Sequence, residues 1–217
     1  LIVILDMGSK IQQCINTDEY DNIKSVVNDY LKEGIAHTLD ETRNLSDSGQ
    51  FEDISLQQGI RQILYPYEEM EVLNPEWEVI LKDIIDSLFE QMSDEEYNIL
   101  NEEFGTYMVS RAYEYRQLLE YLVFRYFAKS IYDYDFLGKC QMLVTNFFVI
   151  RQMDIIRWLD NHREYSFKDR MDVVHIFSRQ VEYSEDNIEN LYEDFIFDDI
   201  FKTDSLIAIL WIDSENI

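Results

Sequence analysis

The chain has 217 residues, of which only six are glycine and two are proline, too few for the many tight turns of a β-sandwich or barrel. Its hydrophobic share of 47%, with 15 tyrosines and 13 phenylalanines, supplies a packed core and excludes a disordered chain. Eighteen Lys and Arg against 44 Asp and Glu give a formal net charge of −26, which disfavours binding to nucleic acids and anionic membranes. We therefore predict an all-α protein with neither of these partners.

Apolar residues recur at helical spacing along the chain, which predicts a multi-helix bundle of about eight helices with no sheet. The first helix is predicted to end near Asn16, and the second to stop at Gly34. The stretch Asn44 to Asp53 is rich in Ser, Asn, Asp and Gly and is the clearest loop. Residues 1–217 are expected to form a single domain, with any internal boundary in this loop.

Capping signals mark the later helices. Asn74-Pro75 is a helix start with an N-cap and a proline at the first helical position. Ser93 and Glu96 fit a capping box, in which each side chain satisfies the other residue's backbone amide. The long aromatic helix that follows is predicted to end near Ile131, and the next to run from Phe136 to about His162. The last three helices are predicted to begin at Ser166, Ser184 and Thr203.

The ends of the chain bear on its location and completeness. The longest aliphatic run, Leu1 to Leu5, is far shorter than the roughly 20 residues that span a bilayer, and no basic segment of a signal peptide precedes it. Since the chain starts without Met inside an apolar stretch, we expect it to be a fragment of a longer protein.

From Glu182 onward, the chain has eleven acidic residues and one basic residue, Lys202. This acidic segment keeps helical spacing and is expected to present a solvated face.

Cofactor and metal motifs are missing from the sequence. There is no glycine-rich turn for a dinucleotide or for S-adenosylmethionine, and no phosphate-binding loop. Cys14 and Cys140 lie 126 positions apart and form no CxxC pair or disulfide framework, which indicates a reducing compartment. Asp172-x-x-His175 is the nearest match to a carboxylate-bridged metal motif, and it has no second copy. We expect no metal and no cofactor in this chain.

One constellation of charged residues stands on three successive predicted helices, interleaved with apolar and aromatic residues. Arginines in such surroundings are expected to be partly buried and paired with acids. They could form a buried ion-pair network that holds the helices in register, or a polar pocket for a ligand or a lysine-bearing peptide. The candidate residues are Arg125, Arg151, Asp154, Arg157, His175, Arg179 and Glu182.

Several segments resemble the C-terminal, helical part of the flagellin lysine N-methylase (FliB-type) family, over roughly Leu1 to Leu210. The matching segments are Glu71–Trp77, Glu120–Phe127, Ile131–Asp135, Ile150-Arg151, Arg157-Trp158, His175–Arg179 and Glu182–Asn187. The resemblance implies a bacterial, cytoplasmic protein that methylates flagellin lysines with S-adenosylmethionine before export. It also implies an upstream cysteine-rich segment with an iron–sulfur cluster, which this sequence lacks.

Two hypotheses follow. In the first, the chain packs on the missing N-terminal cysteine-rich part, helps to form the groove for the protein substrate, and is inactive alone. In the second, it is a non-catalytic acidic helical module for protein interaction, and its arginines are architectural. A self-contained enzyme is a third possibility, and Asp154, His175 and Glu182 would then supply its acids and bases. No catalytic residue can be transferred from the family.

Overall fold

The computed structural model describes residues 1–215, the side chains of Glu33 and Glu215 excepted, and within that range it contains helices and turns but no strand. The predicted all-α class is confirmed. None of the helices in this range is long and apolar enough to cross a bilayer. The α-helices are α1 Ile2–Asn16, α2 Tyr20–Asp29, α3 Ile35–Asp47, α4 Leu56–Glu68, α5 Pro75–Ile84, α6 Asp94–Met108, α7 Ala112–Tyr126, α8 Ser130–Asp133, α9 Phe136–Asp160, α10 Phe167–Phe177, α11 Glu185–Phe197 and α12 Thr203–Glu215.

The described part thus has more α-helices than the eight or so predicted, because several long runs are divided by short turns of another helix type. Turns of π-helix join α2 to α3 (Tyr30–Gly34), extend α5 (Ile85–Glu90) and extend α10 (Ser178–Glu182). Turns of 3-10 helix at Val109–Arg111 and Phe127–Lys129 link α6, α7 and α8. A sequence pattern of apolar residues continues through such turns and does not reveal them.

Two boundaries in the first part of the chain were predicted wrongly. Gly34 does not stop a helix, because it lies in the π-helical turn that leads into α3. A side chain at this position would approach the ring of Tyr30 to 2.6 Å, so the glycine makes room for that ring. The predicted loop begins later than Asn44, because α3 continues to Asp47. An internal boundary between residues 44 and 53 stays a prediction.

The capping signals are confirmed as local structure. Asn74 Oδ1 accepts a hydrogen bond from the backbone N–H two residues later, at 3.2 Å, and Pro75 is the first residue of α5. Ser93 Oγ accepts from the Glu96 N–H at 3.3 Å, and Glu96 Oε2 accepts from the Ser93 N–H at 2.9 Å. Ser166 forms the same reciprocal arrangement at the start of α10. These contacts satisfy N–H groups that a helix start otherwise leaves unpaired.

The helix α9 is the centre of the fold, and it is buried along almost all of its 25 residues. Helices α1, α4, α5, α7, α10, α11 and α12 all pack against it. A helix that is apolar on all sides is expected in the interior of a protein. Its fully buried apolar residues include Leu143, Val144, Phe148, Val149, Ile150, Met153 and Ile155.

Polar side chains are also buried on α9, and each has a partner on a neighbouring element. Burying such a group without a partner costs about 1–3 kcal/mol, so these pairs select how the neighbours are arranged. The pairs are Lys139 with Asp133, Gln141 with the carbonyl of Phe201, Asn146 and Thr145 with Tyr67, Arg151 with Asn101, Gln152 with Tyr97, and Asp154 with Arg170.

The closest approach of α1 to α9 generates a stability prediction. A Cβ on Gly8 would lie 2.5 Å from Cys140 Sγ, which is itself buried. We expect Gly8→Ala to destabilise the fold by about 1–2 kcal/mol in urea unfolding, because overpacking outweighs the better helix propensity of alanine. In a Cys140→Ala background the obstructing sulfur is gone, and the same substitution should cost much less. Equal costs in both backgrounds would contradict this steric explanation.

Candidate functional site

The structure distributes the seven predicted site residues among three places. Arg151 and Asp154 lie in the interior on α9, where they are 3% and 0% exposed. Arg125 and Glu182 meet near the end of α7. The other three, Arg157, His175 and Arg179, line one surface groove.

Arg151 belongs to a buried polar cluster that joins α9 to α6 and α12. Its Nε and Nη2 atoms donate to Asn101 Oδ1 at 3.2 and 3.1 Å, and Nη2 lies 3.8 Å from Asp213 Oδ1. The amide of Asn101 in turn donates to Asp213 at 2.7 Å. Since all three side chains are buried and satisfy one another, this cluster serves the architecture.

Asp154 forms a second buried cluster, which joins α9 to α7 and α10. It accepts from Arg170 Nη1 at 2.5 Å, from the Tyr115 hydroxyl at 2.6 Å and from the Tyr165 hydroxyl. Arg170 also contacts Glu114 Oε2, at 3.3 Å. Burial alone would raise the pKa of Glu114, but hydrogen bonds from Arg111 and the charge of Arg170 outweigh it and hold that pKa below its usual value. Every acceptor oxygen of Asp154 is therefore used inside the protein.

Glu182 accepts three side-chain hydrogen bonds at the end of α10. Its donors are the hydroxyls of Ser178 at 2.6 Å, Tyr121 at 3.1 Å and Tyr126 at 3.4 Å. Burial raises the pKa of Tyr126, with the charge of Glu182 adding to the effect, so this hydroxyl stays protonated and donates. Arg125 reaches only the backbone carbonyl of Glu182, at 3.5 Å. These contacts join the end of α7 to the π-helical turn that follows α10.

Two amide side chains bind the segment that precedes α5. Gln180 Oε1 accepts from the backbone N–H groups of Leu73 and Asn74 at 2.9 and 3.2 Å, and its Nε2 donates to the Glu71 carbonyl at 2.7 Å. Asn187 exchanges two hydrogen bonds with the backbone of Glu71, each of 3.0 Å. We call these contacts the amide clasp. It fixes the start of α5 against the π-helical turn that follows α10.

Aromatic packing holds the same two helices together. The ring of Trp77, which is 2% exposed, lies 6.5 Å from that of Tyr67 and 6.3 Å from that of Phe177. Its Nε1 donates to the Tyr67 carbonyl at 3.3 Å. Because Trp77 is on α5 and Phe177 on α10, their contact sets the distance between the two helices on the side away from solvent.

On the solvent side of this contact, α5, α9 and α10 line a groove with a volume of about 620 Å³. This volume lies within the range of small-ligand sites. Buried isoleucines form part of its lining, at Ile80, Ile156 and Ile176. Its charged residues come from all three helices. They are Glu76 and Asp83 on α5, Arg157 and Asp160 on α9, and Asp172, His175 and Arg179 on α10 and its π-helical turn.

The charged side chains of this α5–α9–α10 groove differ from those of the interior in having no partners. Within residues 1–215, none of the seven forms an ion pair within 4.0 Å or a side-chain hydrogen bond. Arg151 and Arg170, by contrast, are both engaged with carboxylates. The groove thus offers carboxylates and guanidinium groups that have no partner in the described part of the chain. No group of three or more His, Cys, Asp or Glu residues in the described range is arranged to hold a metal ion.

The charges are distributed unevenly along the groove. The amide clasp sets the start of α5 beside the end of α10, so Glu76 lies at the Arg179 end and Asp83 at the Asp172 end. Asn161, just after α9, donates to Asp169 at 2.9 Å and brings Asp160 to the start of α10. Three carboxylates, from Asp83, Asp160 and Asp172, therefore lie toward one end together with Arg157, which is one turn before Asp160 on α9, whereas Arg179 and Glu76 lie toward the other end.

Comparison with known families matches residues 1–209 to the FliB lysine N-methylase C-terminal domain. The chain belongs to this family. The resemblance that the sequence predicted is thereby confirmed. No curated protein and no solved structure matches the chain.

Two of the segments that carried the resemblance contact each other in this FliB C-terminal domain. Residues 71–77 include the backbone that the amide clasp holds, and residues 182–187 end in Asn187, which is part of that clasp. Gln180, Glu76 and Asp83 were not among the predicted site residues. The N-cap at Asn74 located the start of α5, but nothing in the sequence indicated which helix α5 faces.

The difference between paired and unpaired arginines can be measured. Arg151→Met should lower the free energy of unfolding by about 3–5 kcal/mol, because Asp213 would lose its buried cation. Arg179→Met should change it by no more than about 0.5 kcal/mol, because that side chain is exposed and has no partner among residues 1–215. Urea unfolding followed by circular dichroism compares the two variants. Similar losses for both would contradict the assignment of Arg151 to the architecture and Arg179 to the groove.

Proposed function

We propose that this FliB C-terminal domain holds a lysine-bearing segment of flagellin in the α5–α9–α10 groove, so that the remainder of the family protein can methylate the lysine with S-adenosylmethionine. The observation that carries the proposal is the set of unpartnered carboxylates of Asp83, Asp160 and Asp172 beside buried isoleucines. The family relationship supports a role in lysine methylation. The setting would be the bacterial cytoplasm, before flagellin is exported.

The chemistry of a lysine side chain matches this lining. Lysine combines a compact, strongly hydrated ammonium with a flexible stem of four methylene groups. The stem buries along apolar surface while the charged end stays solvated or meets carboxylates. Ile156 and Ile176 supply apolar surface, and the acidic end supplies the carboxylates. Because the groove carboxylates form no ion pair within residues 1–215, no such contact there has to break when the ammonium enters.

The charge of the whole chain supports the same kind of partner. A formal net charge of −26 attracts a lysine-bearing surface from a distance, and such complementarity raises association rates more than affinity. The attraction falls as salt shortens the Debye length. We therefore expect binding that is strongest at low ionic strength.

The cofactors that the resemblance implies fit other parts of the family protein better than these residues. A thiolate-bound iron–sulfur cluster uses up to four cysteines, whereas this chain has Cys14 and Cys140, both buried. Burial raises the pKa of Cys140 to about 12, which disfavours the thiolate form that binds metals. These helices therefore do not fit such a cluster, and we propose that the upstream cysteine-rich segment holds it and packs on this domain.

Removing two groove carboxylates tests the binding role. We expect Asp83→Asn/Asp172→Asn to weaken binding of flagellin at low salt about 5- to 10-fold, as two partly exposed ion pairs would. The matched control is Glu189→Gln/Glu193→Gln on the exposed face of α11, which changes the net charge equally outside the groove. The affinity of each variant for surface-immobilised flagellin is measured at a series of salt concentrations.

The outcomes separate the proposal from its alternatives. Equal weakening in both pairs would mean that only the overall charge matters, and that the groove is not the site. No binding by the unchanged chain, even when a longer family protein with the cysteine-rich segment is present, would favour the non-catalytic interaction module. In a parallel assay read by intact mass, methylation of flagellin by residues 1–217 alone would show that these helices contain the active site.

A further inference from the structure

The unequal ends of the groove suggest that it distinguishes among lysines, a point that rests on the proposed function. The end with Asp83, Asp160 and Asp172 has three carboxylates to one guanidinium, that of Arg157, and this excess of negative charge suits an ammonium group. Arg179 at the other end has no carboxylate within 4.0 Å among residues 1–215, although Glu76 lines the same groove. We infer that the groove recognises a lysine together with a carboxylate of the same substrate segment, with the lysine at the acidic end and the carboxylate on Arg179.

A guanidinium suits this task better than an ammonium would. Its planar set of N–H donors matches the two oxygens of a carboxylate and forms paired, charge-assisted hydrogen bonds. Arg179 stands in the π-helical turn Ser178–Glu182, and such turns are frequent at functional sites. The turn is fixed by its neighbours, because Gln180 belongs to the amide clasp and Glu182 accepts from Tyr126. The backbone that carries Arg179 is therefore held in place before any partner arrives.

The spacing of the two ends defines the substrate. Asp172 and Arg179 are seven residues apart along α10 and its turn, which corresponds to about 10 Å at a rise of 1.5 Å per residue. A helical segment with Lys and Glu seven residues apart presents both side chains on one face at that distance. An extended segment covers about 10 Å in three residues, but its side chains then point to opposite faces. The geometry thus favours a helical Lys-x6-Glu or Glu-x6-Lys segment.

The same arrangement acts against other lysines. A segment with a second lysine in place of the glutamate would set an ammonium against Arg179, and like charges at a contact penalise the wrong partner. A glutamine would leave the guanidinium without an anionic partner. The groove would therefore select a minority of the lysines on a protein surface.

Fluorescence anisotropy with labelled helical peptides tests this inference. The peptides contain Lys-x6-Glu or Glu-x6-Lys, with Gln or Lys replacing the Glu in matched versions. On the unchanged chain, we expect the better Glu peptide to bind about three- to fivefold more tightly than its Gln version. Arg179→Gln should abolish this preference, and Arg179→Glu should reverse it in favour of the peptide with two lysines. Lys129→Gln, an exposed change on the 3-10 turn after α7, is the control and should leave the preference intact.

The possible results separate this inference from the proposed function. If the Glu and Gln peptides bind equally well and the Asp83→Asn/Asp172→Asn variant weakens both, the lysine site stands and the recognition of a carboxylate is wrong. If the preference survives in Arg179→Gln, another residue reads the carboxylate and the assignment to Arg179 fails. If neither peptide nor flagellin binds the unchanged chain, both proposals fail together. Circular dichroism of each variant confirms that its helices are intact.

Discussion

The buried polar side chains of α9 are the constraint on which the rest of the fold depends. An all-apolar central helix could rotate or slide with little change in buried area, whereas a buried charge or amide loses free energy unless a partner meets it in good geometry. Arg151 finds Asn101 on α6, Gln152 finds Tyr97 on the same helix, and Asp154 finds Arg170 on α10. These directional contacts fix the rotation of α9 and the register of its neighbours. They therefore also determine where grooves form between the helices.

The shape of the α5–α9–α10 groove depends on these buried contacts and on the amide clasp. The Asp154–Arg170 pair holds the start of α10 to α9, while the contact of Trp77 with Phe177 holds its end to α5. The amide clasp then ties the segment before α5 to the π-helical turn through Gln180. Because α10 is held to α9 near its start and to α5 near its end, the surface between these helices keeps its shape without any interaction among the charged residues that line it.

Sequence patterns predicted what is decided locally and missed what is decided at a distance. The N-cap at Asn74 and the capping box at Ser93 depend on neighbours within three residues, and both are present. Gly34 was expected to end a helix, as glycine often does. The sequence pattern cannot show that the ring of Tyr30 occupies the space beside this residue, which is why glycine is needed there. The three- and four-residue spacing around His175 placed it on one helix face with Arg179, but the opposing wall from α5 depends on a clasp between residues more than 100 positions apart.

Of the two explanations offered for the arginine-rich helices, the buried ion-pair network fits Arg151, and the polar pocket stays a proposal for Arg157 and Arg179. A buried arginine such as Arg151 must be paired, because an uncompensated charge in the interior costs several kcal/mol. Arg157 and Arg179 escape that requirement since they face a groove that water can enter. Without an ion pair among the described residues, both guanidinium groups stay solvated and accessible to a ligand. Contacts made there exchange water for a partner's charge and gain little net free energy, so the binding that we propose for this groove would be weak and readily reversible.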